Sequence, residues 1–344
     1  MKVLLTVDPP IPVPPVFYGG IERIVDGIAT GLAGRGHSVA LLAHPDSTCP
    51  VERRFAWRPE RSALDAARNA LVLLRSAREF RADVVHSFSR LAYLLPLLAA
   101  RIPSVMSYQR HTGGARLRWM GVLGGARFRF TGCSEYIAGM GRSAGGEWLA
   151  IPNFADTDFY RFVPGVSGDA PLVFLSRIER IKGVHVAIDI ARRAGRRLVI
   201  AGNVPESAKE REYWAGEIEP RLRPGQVDYI GPVDDAQKND LLGSAAALVV
   251  PIDWDEPFGI VFAEALACGT PVISRARGAL PEIIEHGVHG FLVDSVEEGA
   301  AAVARLGAIS REGCRLRAER LFSRHAVVGQ YEALYARLLD GAGA

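Results

Sequence analysis

Two glutamates eight residues apart carry the strongest chemical signal in this 344-residue chain. Glu256 and Glu264 lie in the run Asp255-Glu256-Pro257-Phe258-Gly259-Ile260-Val261-Phe262-Ala263-Glu264. The apolar spacing predicts a helix over 260–267. Glu256 then precedes the helix and Glu264 sits inside it, so both can face one crevice. Phe258, Gly259 and Ile260 bring backbone N–H groups that a helix start leaves without intrahelical partners. A carboxylate among Val261, Phe262, Ala265 and Leu266 is costly unless it binds a ligand hydroxyl or a partner. Sugars and ribose supply such hydroxyls. A second signal is Arg177 and Lys182, five residues apart after an apolar run and before a helical pattern. Arginine binds phosphate in bidentate fashion and lysine acts as a point charge, so the two form a diphosphate clamp or remain two solvated charges. A third is the proline-rich loop 9–18, which runs into Gly19-Gly20-Ile21-Glu22-Arg23. Glycines at a helix N-terminus let an anion approach the backbone. A proline-stiffened surface loop is the other reading.

These residues follow short apolar runs and open helical patterns. Strands are predicted at 2–7, 38–43, 83–86, 104–107, 128–132 and 148–151, and again at 172–175, 197–201, 227–230, 247–251, 271–274 and 290–293. Between them, helical patterns cover 21–34, 62–80, 91–101 and 135–141, then 184–194, 207–219, 235–244, 260–267 and 279–286. Strands alternating with helices predict parallel sheets covered on both faces. The expected fold class is α/β, with two Rossmann-like doubly wound parallel-sheet domains facing a cleft. The domains are expected at 1–160 and 161–323, with a junction rich in Pro, Gly and Asp over 153–169. The last segment, 324–344, carries Val327, Val328, Tyr331, Leu334, Tyr335 and Leu338 at helical spacing and is expected to bridge back to the N-terminal domain. Such sheets bind ligands beyond the carboxyl ends of their strands, where these motifs stand.

Composition excludes several classes. Charged residues are 23% and hydrophobic residues 49%, as in ordinary globular proteins. No segment approaches the ~18 apolar residues of a membrane span. The N-terminal apolar stretch is too short for a signal peptide. The four cysteines are widely spaced, which suits free thiols in a cytoplasmic protein. Residues 1–165 hold 20 Lys and Arg against 13 Asp and Glu, within an overall net charge of +3. That basic half suits an anionic partner, including a peripheral contact with a membrane, or simply Arg-rich solvated faces. No basic, aromatic-interleaved block points to nucleic acid.

Taken together, the motifs resemble those of the family 4 glycosyltransferases, retaining enzymes of the GT-B fold. The pair Glu256 and Glu264 matches their E-x7-E motif. Tyr18-Gly19-Gly20-Ile21-Glu22-Arg23 looks like their N-terminal glycine loop. Ile151-Pro152-Asn153-Phe154-Ala155-Asp156 is similar to their interdomain element. Arg177 with Lys182-Gly183 matches their diphosphate pair, Gly231 falls in their nucleobase loop, and Ala279-Leu280-Pro281-Glu282-Ile283-Ile284 resembles their G-x-P-E-I-I segment. The resemblance implies a nucleoside-diphosphate sugar donor in the second domain and an acceptor of unknown identity in the first. It places Arg177 and Lys182 on the diphosphate, Glu256 on the donor sugar with the amides of Phe258, Gly259 and Ile260, and Glu264 on the ribose. Gly19 and Gly20 would approach the phosphate. Glu22 would contact donor sugar or acceptor. Many relatives carry T-x-H after the fourth predicted strand. Here the segment is Met106-Ser107-Tyr108-Gln109-Arg110-His111, so Gln109 stands at that position, with His111 two residues on. No cofactor or metal is expected. Two further readings share the architecture: a non-catalytic nucleotide-sugar-binding subunit and a sugar-nucleotide 2-epimerase.

Competing motifs lack their context. Gly141-Arg142-Ser143-Ala144-Gly145 fits a hydrolase elbow, and Gly139 to Ala144 fits a dinucleotide fingerprint, but a helix precedes both where a strand is required. Asp156-Thr157-Asp158 and Asp253-Trp254-Asp255 look like D-x-D metal motifs, yet two carboxylates make a thin Mg²⁺ site. His286 and His289 are too few for zinc.

Overall fold

The computed structural model describes residues 1–15, 19–60 and 62–343. Thirteen strands form among them: β1 (Lys2–Thr6), β2 (Ser38–Ala43), β3 (Arg53–Ala56), β4 (Val84–Ser87), β5 (Ser104–Tyr108), β6 (Phe128–Gly132), β7 (Trp148–Ala150), β8 (Leu172–Leu175), β9 (Leu198–Ala201), β10 (Val227–Tyr229), β11 (Ala247–Val249), β12 (Val272–Ser274) and β13 (Gly290–Leu292). They build two sheets, ordered β3-β2-β1-β4-β5-β6-β7 and β10-β9-β8-β11-β12-β13. All pairings within both sheets are parallel. Val3, Leu4 and Leu5 in β1 and Leu172, Val173 and Phe174 in β8 are fully buried. Such unbroken apolar runs are what a sheet covered on both faces requires. In each sheet the strand order reverses beside the first strand, at β1/β4 and at β8/β11. Those switch points leave a crevice beyond the strand ends.

The chain packs as two compact units. One comprises Met1–Asn153 together with the segment from Arg324 onward, and the other is Phe154–Ser323. The division falls after Asn153 and not at residue 160, because the intervening residues fold with the second unit. Ala155 N donates to Phe322 O at 2.9 Å, and Tyr160 Oη donates to Glu264 Oε1 at 2.7 Å.

Several elements differ from their sequence patterns for identifiable reasons. The span 91–101 is a 3₁₀ turn, Leu91–Leu94, followed by a short helix, Leu95–Ala99. Pro96 cannot donate inside a continuous helix, but it fits the first turn of a new one. The span 207–219 breaks after Tyr213 into a π turn, Trp214–Ile218, and a 3₁₀ turn containing Pro220. The helix expected at 279–286 is only Leu280–Ile283. Three helices lacked a clear periodic signal: Ala115–Gly124, Val296–Ala304 and Arg311–Phe322. In the first of these, Trp119, Val122 and Leu123 face outward while only Leu117 and Met120 are buried. Strand β3 has largely exposed side chains, as an edge strand can.

The final helix, Arg324–Gly343, belongs to the first unit. Val327, Val328, Tyr331, Leu334, Tyr335 and Leu338 are all buried. Arg35 Nη1 and His37 Nε2 each meet Glu332 at 2.8 Å. Beneath them, His86 at the end of β4 is enclosed. Its Nδ1 lies 2.6 Å from Tyr335 Oη and its Nε2 lies 2.6 Å from Ser107 Oγ. Burial pushes the His86 pKa down to about 3.

The folded protein therefore keeps His86 neutral, whereas the unfolded chain takes up a proton near pH 6.5. Between those values the unfolded state holds the extra proton, so this stability is present above pH 6.5 and is lost as the pH falls. The expected slope is up to about 1.4 kcal/mol per pH unit. His86→Gln should lower stability at pH 7 and flatten that slope between pH 6 and 4.5 in urea titrations. Parallel pH profiles for the two proteins would contradict this account of His86.

Candidate functional site

The second unit gathers chemistry at its β8/β11 switch point. The loop after β8 turns through the 3₁₀ segment Arg180–Lys182 into Gly183, then enters the helix Val184–Arg193. Gly183 has φ +80°, and a Cβ there would lie 2.3 Å from Pro251 O. Only glycine permits both the left-handed backbone and that close approach. Asp253 N donates to Ile181 O at 2.7 Å, so the loop after β8 is laced to the loop after β11.

That lacing brings Lys182 and Glu256 together. Lys182 Nζ donates to Glu256 Oε2 at 2.6 Å, with both side chains nearly buried at 10 and 12% exposure. Trp254 Nε1 donates to the same oxygen at 2.8 Å, and its ring centroid lies 4.9 Å from Lys182 Nζ. The Glu256 backbone is also fixed. Ala279 N donates to its carbonyl at 2.9 Å. Gly278 (φ +57°) leaves no room for a side chain, since a Cβ would stand 2.3 Å from that same carbonyl. Beyond Glu256, Gly259 (φ +83°) precedes the helix Ile260–Ala267, so Phe258, Gly259 and Ile260 stand at its N-terminus.

The other predicted residues have separate surroundings. Arg177 is half-exposed, with Nη1 2.6 Å from Glu179 Oε1. Glu264 is buried, and its Oε1 accepts from Tyr160 Oη and from Lys238 Nζ, both at 2.7 Å. Burial and the Glu264 charge raise the Tyr160 pKa far above its ordinary value. Gly231 follows β10 with φ +77°, and its carbonyl accepts from Gly202 N at 2.9 Å.

The D-x-D look-alikes are otherwise engaged. Asp253 meets Arg275 at 2.7 Å and Arg277 at 3.4 Å, and Asp255 meets Arg277 at 2.9 Å. Asp156 Oδ1 accepts from Asp158 N at 3.2 Å. Ser143, in the hydrolase-like motif, lies within the helix Glu135–Ala144 and donates to Gly139 O at 3.0 Å.

The first unit has its own crevice, a cavity of about 590 Å³ at the ends of β1, β4 and β5. Asp8, Ser89, Arg90, Gln109, Arg110 and Arg116 are among its polar lining residues. Gln109 Oε1 accepts from Asn153 Nδ2 at 2.7 Å. Its Nε2, and Oδ1 of Asp8, are buried without a hydrogen-bond partner among the described residues. Burial raises the pKa of Asp8, opposed by the charges of Arg110 and Arg90. Glu22, near the start of the helix Gly20–Gly34, is also buried, and desolvation raises its pKa. Gly19 sits tightly, since a Cβ would be 2.6 Å from Pro15 Cβ. His111 is exposed, edge-on to Tyr136 at 5.8 Å, and does not line the cavity. Tyr18 of the glycine loop lies outside the described residues.

Sequence reasoning missed Lys238, Tyr160 and Trp254 as partners of the two glutamates, and Asp8 as a cavity group. Asp8 left a trace, since it directly follows a strand and precedes Pro9-Pro10. Trp254 stood two residues before Glu256 but gave no sign of pairing with it, and Lys238 and Tyr160 left no trace because they come from distant turns of the chain.

Comparison with known proteins gives a consistent picture. The family described as "Glycosyltransferase Family 4" matches residues 18–159, and "Glycosyl transferases group 1" matches residues 156–317. The chain is 28% identical over 332 residues to a glycogen synthase of Mycobacterium tuberculosis, covering 80% of this chain and 79% of that one. A solved glycosyltransferase involved in avilamycin A biosynthesis shares 27% identity and superposes with a TM-score of 0.74, covering 99% of this chain and 98% of its own. The Anabaena protein Alr3699/HepE, solved in complex with UDP, shares the fold at a TM-score of 0.77 and 22% identity, covering 98% of this chain and all of its own.

The Lys182–Glu256 pair makes a stability prediction. Lys182→Ala strands a nearly buried carboxylate and should cost roughly 2–3 kcal/mol, somewhat below the range for fully buried pairs. Adding Glu256→Gln should restore most of that loss, because no uncompensated charge remains. Thermal melting of the two variants decides. A double variant no more stable than the single one would show that charge pairing is not what Lys182 supplies.

Proposed function

Because the chain belongs to the family 4 glycosyltransferases, we propose that it moves a sugar, with retention of anomeric configuration, from a nucleoside-diphosphate sugar to an acceptor hydroxyl. Its two doubly wound parallel-sheet domains are those of the GT-B fold. The observation that carries the reading is the Lys182–Glu256 pair at the switch point of the second unit. Lys182 is a nearly dehydrated cation whose charge is held by one carboxylate. An arriving diphosphate competes for that ammonium and frees Glu256 to accept hydroxyl hydrogens of the donor sugar. Arg177, half-exposed on Glu179, swings to the diphosphate as a bidentate donor. Glu264, held by Tyr160 and Lys238, binds the ribose.

In the transfer step the bond from the anomeric carbon to the diphosphate oxygen breaks, and the bond to the acceptor oxygen forms on the same face. The proton of the acceptor hydroxyl passes to the departing diphosphate, so no protein base is needed at the anomeric carbon. Catalysis then rests on stabilising the leaving charge and on positioning. The arginine pairing of Asp253 and Asp255 supports a reaction that uses no metal at that loop. The basic first unit supports a peripheral membrane contact. Trp119, Val122 and Leu123 are exposed on Ala115–Gly124, beside Arg116 and Arg118.

Four measurements test these proposals. Lys182→Ala and Arg177→Ala should each slow transfer by about 10²–10³-fold, the range for losing one electrostatic stabiliser. Thermal shifts with UDP, GDP, ADP and dTDP identify the base, since a ligand stabilises the fold it binds. Near-wild-type turnover in both variants removes the clamp, and nucleotide binding without any turnover favours a binding subunit. Turnover should persist in EDTA, whereas loss with rescue by Mg²⁺ or Mn²⁺ overturns metal independence. Co-sedimentation should occur with vesicles containing phosphatidylglycerol and should weaken in Val122→Asp. Equal binding to purely zwitterionic vesicles removes the electrostatic part of the membrane proposal.

A further inference from the structure

The cavity of the first unit has a composition that restricts what can fill it. Its volume, about 590 Å³, falls within the range for small-molecule sites. Carbon dominates its walls, to which Phe88, Leu91, Leu95, Met106, Trp119 and Met120 contribute. Trp119 and Leu95 are 72 and 45% exposed, an uncommon amount of apolar surface to leave in water beside a pocket. A free sugar presents hydroxyls on every side and would lose water to walls that return few hydrogen bonds.

Two of its polar atoms are unsatisfied in a complementary way. Asp8 Oδ1 is a buried acceptor and Gln109 Nε2 a buried donor, each without a partner among the described residues. They follow β1 and β5, strands that flank β4 at the switch point. A hydroxyl is both a donor and an acceptor, so one hydroxyl can satisfy both atoms. Leaving such groups bare is costly in a folded protein. Around them stand three arginines. Arg90 is engaged by Glu60, Arg110 offsets the Asp8 charge, and Arg116 lines the cavity from the first turn of Ala115–Gly124. No ion pair of Arg116 is found among the described residues.

We propose that the acceptor held in this cavity is a hydroxyl-bearing molecule with an apolar, aromatic-sized body and an anionic group, not a free sugar. Asp8 and Gln109 hold the hydroxyl that receives the sugar, the apolar walls hold the body, and Arg116 meets the anion. The proposal rests on the glycosyltransferase reading, and its test separates the two.

The probe is 6-hydroxy-2-naphthoic acid, followed by its fluorescence with the full-length protein and no donor present. Its analogues are 2-naphthoic acid, 2-naphthol and maltose. Hydroxynaphthoate should bind at least tenfold tighter than maltose. Loss of its hydroxyl should weaken binding by about tenfold in the wild type and leave affinity unchanged in Asp8→Ala. Loss of its carboxylate should matter in the wild type and not in Arg116→Gln. Ala92→Trp, which fills the cavity from its exposed wall, should abolish probe binding while the thermal response to nucleoside diphosphates persists. Maltose binding as tightly as hydroxynaphthoate would overturn the acceptor class and leave the transferase reading standing. So would equal probe affinity in Ala92→Trp. Probe binding with no response to any of the four diphosphates would instead sink the transferase reading.

Discussion

The interaction on which the second unit turns is the contact between Lys182 and Glu256. An ammonium and a carboxylate this deeply placed are expensive to dehydrate, and they persist only if geometry keeps them together. Two glycines supply that geometry from opposite sides. Gly183 lets the loop after β8 lie against Pro251, and Gly278 lets its neighbours lie against Glu256. Trp254 closes the arrangement, giving a hydrogen bond to the carboxylate and a ring face to the ammonium. A charged pair held this way is poised, since anything that binds one partner must release the other.

The two units solve the same problem with different chemistry. Both have the reversed strand order that opens a crevice beside the first strand. In the second unit the crevice holds paired charges, with Lys182 on Glu256. In the first it holds a mostly apolar cavity with single polar atoms unpaired. The architecture is shared, and the side chains at the strand ends set what each crevice can bind. The polar burial at Asp8 and Gln109 is a local cost, tolerated where a ligand offsets it.

Much of this was legible in the sequence. The strands of both sheets showed as apolar runs, because burial on both faces demands such runs. Glu256 and Glu264 stood out because carboxylates at helix spacing among apolar residues need a reason. Lys182 was legible because it follows a strand and precedes a helix. Its partner was not, because the contact spans 74 residues and depends on how β8 and β11 pair. Arg177 was legible for the same reason, and its contact with Glu179, two residues away, was not read from the spacing. The helix Ala115–Gly124 escaped because its apolar residues lie on both its buried and its exposed sides, which leaves no core-seeking period. Lys238 and Tyr160 escaped because they lie far from Glu264 in the chain.

The return of the final helix to the first unit has a consequence for biosynthesis. During synthesis the second unit, Phe154–Ser323, emerges as one continuous stretch and has all its strands in hand. The first unit has its whole sheet made earlier, yet Tyr331 and Tyr335 have not been translated, so the surface around His86 stays uncovered. The earlier-made unit is therefore the later one to be sealed, across a separation of 249 residues. Until then its apolar groove is open to chaperones and to other nascent chains. A ribosome that stalls near codon 323 would leave a finished second unit joined to an unfinished first.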